Sequence, residues 1–323
     1  MQLTTEKKKN LFYAMLRIRR VEERIEALYL EDKMKTPIHL CIGQEAVAAG
    51  VCGALEKDDY VTSNHRGHGH YLAKGGNLKR MIAELYCKST GCSRGYGGSM
   101  HLVDVSVGHM GSSSIVGGGI PIATGLSLGI QMKSEKRVSV AFFGDGAVNE
   151  GVLYESINFA MLKKLPVIYI FENNQWSVCS HFSARQTDDV LFHKASPESL
   201  FTSRIDGNNA LLVCTTANIA IDRARSGQGP SFIQCDTYRI SPHAGCFAQD
   251  LTGYRDHDEE RTWKEKCPIH NLQKHLVEEC GFTYDELAAM EEIIAAEIDA
   301  AFVFAQKSAL PTTEKMTKYL FRG

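Results

Sequence analysis

The sequence predicts an α/β fold: a mainly parallel central sheet flanked by helices, with further helices at the N- and C-terminal ends. Two observations carry this expectation. Short apolar runs at 138–143, 167–171 and 231–235 have the length of buried strands, and each is bounded by Gly or Pro. Helical stretches of ten or more residues, at 150–162 and 210–225, lie between them. Such alternation builds βαβ units, whose parallel strands are buried on both faces and read as continuous apolar runs.

The elements follow in order. Thr4 and Thr5 can cap a first helix, in which Leu11, Met15, Ile18, Val21, Ile25 and Leu28 recur at steps of three and four. Lys35-Thr36-Pro37 ends it. Gly43-Gln44-Glu45 opens a second helix, with Ala46, Val47, Val51 and Leu55 as packing positions. A loop is expected through Asp58, Asp59 and Arg66-Gly67-His68-Gly69-His70, then a helix at 78–86. Residues 91–119 are dense in Gly and Ser but lie between structured segments and carry His, Met and Val. They read as backbone that approaches something closely, not as a spacer. A helix at 120–132 precedes the α/β alternation, and a further strand is expected at 201–205. After Pro242 comes a long loop bearing His, Gly and Asp, and helices close the chain, one over roughly 284–304. There is no internal repeat or low-complexity linker, so residues 1–323 are expected to form a single domain.

Composition narrows the function. The chain has 323 residues, with 36 Lys+Arg against 38 Asp+Glu, a net charge of −2 and a pI of about 6.6. That balance argues against nucleic acid and anionic membranes as partners. The basic residues Arg17, Arg19 and Arg20 are closely followed by Glu22, Glu23 and Glu26, so a solvated helix face is expected there. Mean hydropathy is −0.20 and no apolar run approaches bilayer length. No secretion or transit signal is legible, and ten scattered cysteines contain no CxxC pair. Reduced thiols and a cytoplasmic location are the expectation.

The chemistry concentrates in Phe143-Gly144-Asp145-Gly146-Ala147-Val148-Asn149-Glu150-Gly151 and in Glu172-Asn173-Asn174-Gln175-Trp176. In open α/β sheets ligands bind beyond the carboxyl ends of the strands. Two glycines let the backbone turn tightly and approach a diphosphate, and a following helix N-terminus offers free N–H groups. Asp145 repels a phosphate directly but serves if a divalent cation lies between them, since magnesium takes carboxylate and phosphate oxygens in an octahedral shell. The second strand ends in Asn173-Asn174, and an Asn amide oxygen is another hard ligand. A P-loop would need Gly-Lys-[Ser/Thr] where Asn149-Glu150-Gly151 stands. A dinucleotide fingerprint would need Gly at Asn149, although Glu172 could mimic its ribose-binding acid, so that reading stays as a minor alternative.

Gly-Asp-Gly, 26 intervening residues and then Asn-Asn resemble the thiamin diphosphate signature. More narrowly, the chain resembles the α subunit of a 2-oxo acid dehydrogenase first component, the group that includes pyruvate, branched-chain and acetoin dehydrogenases. The resemblance runs through His39-Leu40-Cys41-Ile42-Gly43-Gln44-Glu45-Ala46, Arg66-Gly67-His68-Gly69, Gly97-Gly98-Ser99-Met100-His101, Ile115-Val116-Gly117, Leu165-Pro166, Thr237-Tyr238-Arg239 and Pro268-Ile269.

The resemblance implies specific roles. Asp145, the Asn174 side chain and the Trp176 carbonyl would hold magnesium. The Gly146 and Ala147 amides, Arg66 and His65 would meet the diphosphate, and Ser114 and Val116 the aminopyrimidine. His243 would reach the diphosphate and the reacting centre, His39 would line the substrate cavity, and Arg239 would anchor the loop or the substrate. His68 and His101 divide between site and structural roles. The implied reaction decarboxylates a small 2-oxo acid, or cleaves an acyloin, and passes the acyl group to a lipoyl-bearing acyltransferase. The glutamate that contacts the aminopyrimidine is not in this α pattern, which implies a β subunit and an assembly of two α and two β chains. A non-oxidative transferase forming acyloins and a silent cofactor-binding scaffold are the alternatives. Departures from the pattern cluster near the substrate: His65 stands where Tyr is usual, Trp176-Ser177 where Tyr-Gly is commoner, and Ala244 replaces a phosphorylatable serine.

Overall fold

The computed structural model describes residues 3–187, 196, 198–245 and 253–315. Its strands are β1 (Tyr60–Ser63), β2 (His109–Ser112), β3 (Ser139–Gly144), β4 (Val167–Asn173), β5 (Trp176–Ser177), β6 (Ser180–His181), β7 (Phe201–Asp206) and β8 (Ser231–Asp236). Its helices are α1 (Thr5–Tyr29), α2 (Glu45–Ala54), α3 (His68–Ala73), α4 (Leu78–Leu85), α5 (Gly119–Met132), α6 (Gly151–Lys163), α7 (Ala210–Arg225), α8 (His257–Glu265), α9 (Pro268–Cys280) and α10 (Tyr284–Lys307). Six strands form one sheet in the order β2-β1-β3-β4-β8-β7, and every neighbouring pair is parallel. β5 and β6 make a separate antiparallel hairpin.

Side-chain alternation along the strands separates two cores. Val140, Phe142, Ile168 and Ile170 face α2 and α7, while Ala141, Phe143, Tyr169 and Phe171 face α5 and α6. A third apolar cluster joins α1, α4, α9 and α10. The periodic positions Leu11, Met15, Ile18, Val21 and Ile25 of α1 are buried in it, and the Thr4 side chain accepts from Lys7 N. The basic run of α1 is not merely solvated. Arg17, Arg20 and Arg24 pair with Glu297, Glu291 and Asp299 of α10 at 2.7, 2.5 and 2.7 Å, and Arg19 pairs with buried Glu45 at 2.6 Å.

Three elements lie where loops were expected. The stretch 58–70 contains β1 and α3, and the Gly/Ser-rich stretch contains β2. These segments are too short or too polar for an apolar period, and their pairing is set by the neighbouring backbone. The Gly-rich turn between α4 and β2 is tied down by one side chain. Glu84 is fully buried and accepts from the amides of Gly97 and Gly98 at 2.8 and 3.1 Å on one oxygen. Its other oxygen accepts from Ser93 and Gly95 at 2.8 and 2.9 Å.

The cysteines among the described residues are unpaired; Cys246 and the 246–252 part of the loop after Pro242 lie outside them. Among the described residues no helix is long and apolar enough to cross a membrane.

Candidate active site

The chain turns from β1 outward to β2, then returns to β3 on the other side of β1. This reversal of strand order opens a crevice at the carboxyl ends of β1 and β3, the position at which α/β sheets bind ligands. A cavity of about 200 Å³ lies there. Of the residues expected at the site, His39, His65, Arg66, Ser114, Val116, Asp145, Gly146, Ala147, Asn174, Trp176 and His243 line it. Arg239 does not. It is wholly buried behind the cavity, with its guanidinium donating to Ser241 O (3.2 Å), Val178 O (3.0 Å) and Tyr254 Oη (2.8 Å). From there it fixes the start of the loop after β8 and the β5–β6 turn.

The floor of the cavity is a group of oxygens. β3 and β4 pair in register, with Gly144 opposite Glu172, so Asp145 and Asn174 leave adjacent strand ends side by side. Gln175 takes a left-handed φ of 72° just before Trp176, as the chain turns at the end of β4. The Asn174 amide turns one end to Gln44 Oε1 at 3.0 Å and the other to Trp176 O and Asp145 Oδ1 at 3.2 and 3.3 Å. With its oxygen inward, three oxygens share one face. The edges of a magnesium octahedron with 2.0–2.1 Å bonds are about 3 Å, so this donor set fits a hard divalent cation. With its nitrogen inward, hydrogen bonds close the same face. Burial raises the Asp145 pKa, and Arg185, which forms a short ion pair with Oδ2, opposes the rise.

Beside this face, a single 3₁₀ turn at Asp145–Asn149 separates β3 from α6. The cavity-lining residues Gly146 and Ala147 therefore belong to that turn, not to the N-terminus of the following helix. The first N–H groups of such a turn have no partner within it and are suited to an anion. A Cβ on Gly146 would stand 2.7 Å from Ser177 Oγ, so a side chain here must turn the Ser177 hydroxyl aside.

The opposite wall is basic. Arg66 is buried and donates to Leu40 O and His243 O at 2.9 and 2.8 Å. Burial and neighbouring Arg239 draw its pKa to about 9, while Asp145 and Glu172 favour its charge. Asn64, which the sequence reading did not single out, accepts from Arg66 N at 2.8 Å and so fixes that turn. Glu172 accepts from His70 at 3.1 Å and from Asn64 at 3.4 Å, so it supports the β1–α3 turn and does not act as a ribose-binding acid. His68 is structural, held between Glu22 (2.6 Å) and Ser99 (2.8 Å). His101 is exposed and meets Ser114 Oγ at 3.2 Å. Ile115 and Val116 are 72% and 49% exposed, so one side of the cleft is apolar and uncovered. Asp145 is the only carboxylate among the described residues that line it.

Fold and site together define an α/β protein with a cleft at a strand switch point, lined by one carboxylate, a buried arginine and three imidazoles among the described residues. Comparison with known proteins narrows the class. The family model described as the dehydrogenase E1 component matches residues 13–314. Subunit alpha of acetoin:2,6-dichlorophenolindophenol oxidoreductase from Bacillus subtilis (strain 168) is 38% identical over 317 residues, covering 98% of this chain and 94% of that one. The pyruvate dehydrogenase E1 component subunit alpha of Porphyra purpurea is 36% identical over 326 residues, covering 99% and 94%. That of Zymomonas mobilis is 35% identical over 311 residues, covering 96% and 87%. The chain belongs to the dehydrogenase E1 component family.

Proposed function

We propose that this chain is the α subunit of a thiamin diphosphate-dependent dehydrogenase first component acting on a small 2-oxo acid or on acetoin. The observation that carries the reading is the meeting, in one cleft, of the oxygen face at Asp145, Asn174 and Trp176, the 3₁₀-turn amides at Gly146 and Ala147, and the buried Arg66. Asp145, Asn174 and the Trp176 carbonyl would hold Mg²⁺. The amides, Arg66, His65 and His243 would take the diphosphate. Ser114 and Val116 would rest against the aminopyrimidine.

When bound, thiamin diphosphate supplies the carbanion chemistry that cleaves the bond beside a keto group. The protein's part is geometric and electrostatic. Arg66 sets positive charge opposite a phosphate. His39 and His243 are held neutral by burial and by Arg66, so each can accept or donate a proton hydrogen bond to a small oxygenated substrate without a charge of its own. Arg239 keeps the His243 loop seated. Residues 1–323 act as one domain in this reading.

The exposed apolar flank at Ile115 and Val116, and a lining with no carboxylate but Asp145 among the described residues, support a cleft completed by a β subunit. We read the assembly as two α and two β chains, with a lipoyl-bearing acyltransferase as acceptor. Unpaired thiols suit a cytoplasmic location.

Native mass spectrometry of the protein from its own host, with magnesium and thiamin diphosphate, tests this reading. A second chain of similar mass and two cofactors per assembly are expected, together with reduction of an artificial electron acceptor by a 2-oxo acid or acetoin. A homo-oligomer that binds the cofactor alone, or turnover without acceptor reduction, refutes it.

A further inference from the structure

Three imidazoles converge in the cleft beside the oxygen face. His39 comes from the segment between α1 and α2, His65 from the turn after β1, and His243 from the loop after β8. Each offers one ring nitrogen, and the three atoms lie within 4.8 Å of one another. The ring centroids are 4.7, 5.2 and 5.6 Å apart, and every pair meets edge to face. His39 is only 8% exposed, and its buried Nδ1 has no hydrogen-bond partner among the described residues. A buried ring nitrogen without a partner is unfavourable, and a ligand relieves it. His243 Nδ1 accepts from Arg66 at 3.2 Å, so ligation through Nε2 moves the ring proton to Nδ1 and gives up that contact.

We propose that His39, His65 and His243 form a three-histidine site for a divalent transition metal of the zinc type, chemically separate from the oxygen face at Asp145. The donor chemistry sets the choice of ion. Imidazole nitrogen suits zinc, copper and nickel, whereas carboxylate and carbonyl oxygen suit magnesium. The rings are neutral, the charge state from which imidazole ligates. Burial, aided by Arg66, lowers the pKa to about 4 at His39, about 2 at His65 and about 3 at His243, so an ion displaces no proton at neutral pH.

The geometry is close. Tetrahedral zinc with bonds of 2.0–2.1 Å needs ligand nitrogens about 3.3 Å apart. The widest pair at 4.8 Å therefore closes by about 1.5 Å, which side-chain torsions supply. Arg66 and Arg239 oppose a second cation. Arg66 is turned toward the carbonyls of Leu40 and His243, and Arg239 lies behind the wall, so they weaken the site without filling it. The fourth position faces the cavity. An ion there obstructs any organic ligand of the cleft, so the site is inhibitory. The metal site does not depend on the function proposed above; its inhibitory effect rests on that reading.

Cobalt(II) titration of the metal-free full-length protein is the test. Cobalt held four-coordinate by nitrogen absorbs strongly in the visible, whereas cobalt in an octahedral oxygen shell absorbs weakly. One strongly absorbing cobalt per chain is expected, displaced by zinc but not by magnesium. His65→Phe should weaken binding at least ~10-fold, the scale on which metal sites lose affinity when a supporting group is removed. His243→Gln is the second variant, with the same expected loss, and circular dichroism checks the fold of each. Asp145→Asn should leave the absorption unchanged. The proposal is overturned by absence of the visible bands, by bands that survive both histidine variants, or by bands lost in Asp145→Asn alone.

Discussion

Replacing Glu84 with Gln perturbs the site from a distance. The Glu84 carboxylate is fully buried and accepts four backbone N–H groups, two on each oxygen, at 2.8 to 3.1 Å. Glutamine keeps one oxygen and places an NH₂ where the other was. Whichever way the amide turns, two buried amides then face a donor. Each costs about 1–3 kcal/mol, and the two remaining bonds lose their charge assistance. The two amides alone sum to about 2–6 kcal/mol, large for one atom exchanged for another. Equilibrium urea unfolding reads the loss as a lower midpoint with an unchanged slope. Hydrogen exchange should report the same loss locally, at the amides of 93, 95, 97 and 98. Because Met100 lines the cleft and Ser99 holds His68, cofactor affinity should fall with it. A loss under about 1 kcal/mol, with exchange at those amides unchanged, would refute the reasoning.

The other predictions are as direct. Gly146→Ala should weaken thiamin diphosphate binding by calorimetry about ten-fold, because the added methyl displaces the Ser177 hydroxyl at a cleft-lining turn, whereas Gly129 is outside the lining with nothing within 4 Å among the described residues and its Ala variant should bind normally; equal affinities would count against the 3₁₀ turn as the anion site. Arg185→Gln removes a positive charge from Asp145, so cofactor binding should saturate at several-fold lower magnesium, and a higher requirement would show that Arg185 assists the metal instead. Stability should fall as pH drops from about 6.5 toward 4. An unfolded histidine takes its proton near 6.5, while His39, His65, His109 and His243 withhold it until about 4 or lower, so the unfolded state binds more protons in that window. Fully buried His109 alone contributes a slope of up to about 1.4 kcal/mol per pH unit, and the partly exposed rings less. A urea midpoint that is flat across that window would sink the assignment of neutral imidazoles.

What the sequence determined by itself was local. The apolar runs that became β3, β4 and β8 announced a parallel sheet, because strands buried on both faces must be apolar throughout. Asp145 and Asn174 were legible because each stands directly after such a strand, and parallel neighbours bring their carboxyl ends together. Tertiary structure alone decided the rest. β1 and β2 have little apolar pattern and exist by pairing with a sheet already present, yet their turns carry Arg66, Ser114 and Val116 into the cleft. The amides came from a 3₁₀ turn instead of the start of α6, a distinction of backbone geometry that composition does not encode. Of the two roles open to Arg239, loop anchor or substrate anchor, the packing places it at the loop, because carbonyls and a tyrosine hydroxyl hold it behind the wall. Arg185, Gln44 and Glu84 reach their partners across 40, 130 and 9–14 residues, and the meeting of His39, His65 and His243 spans more than half the chain. Spacing along a chain fixes which residues share an element; only the packing of those elements fixes which side chains share a cavity.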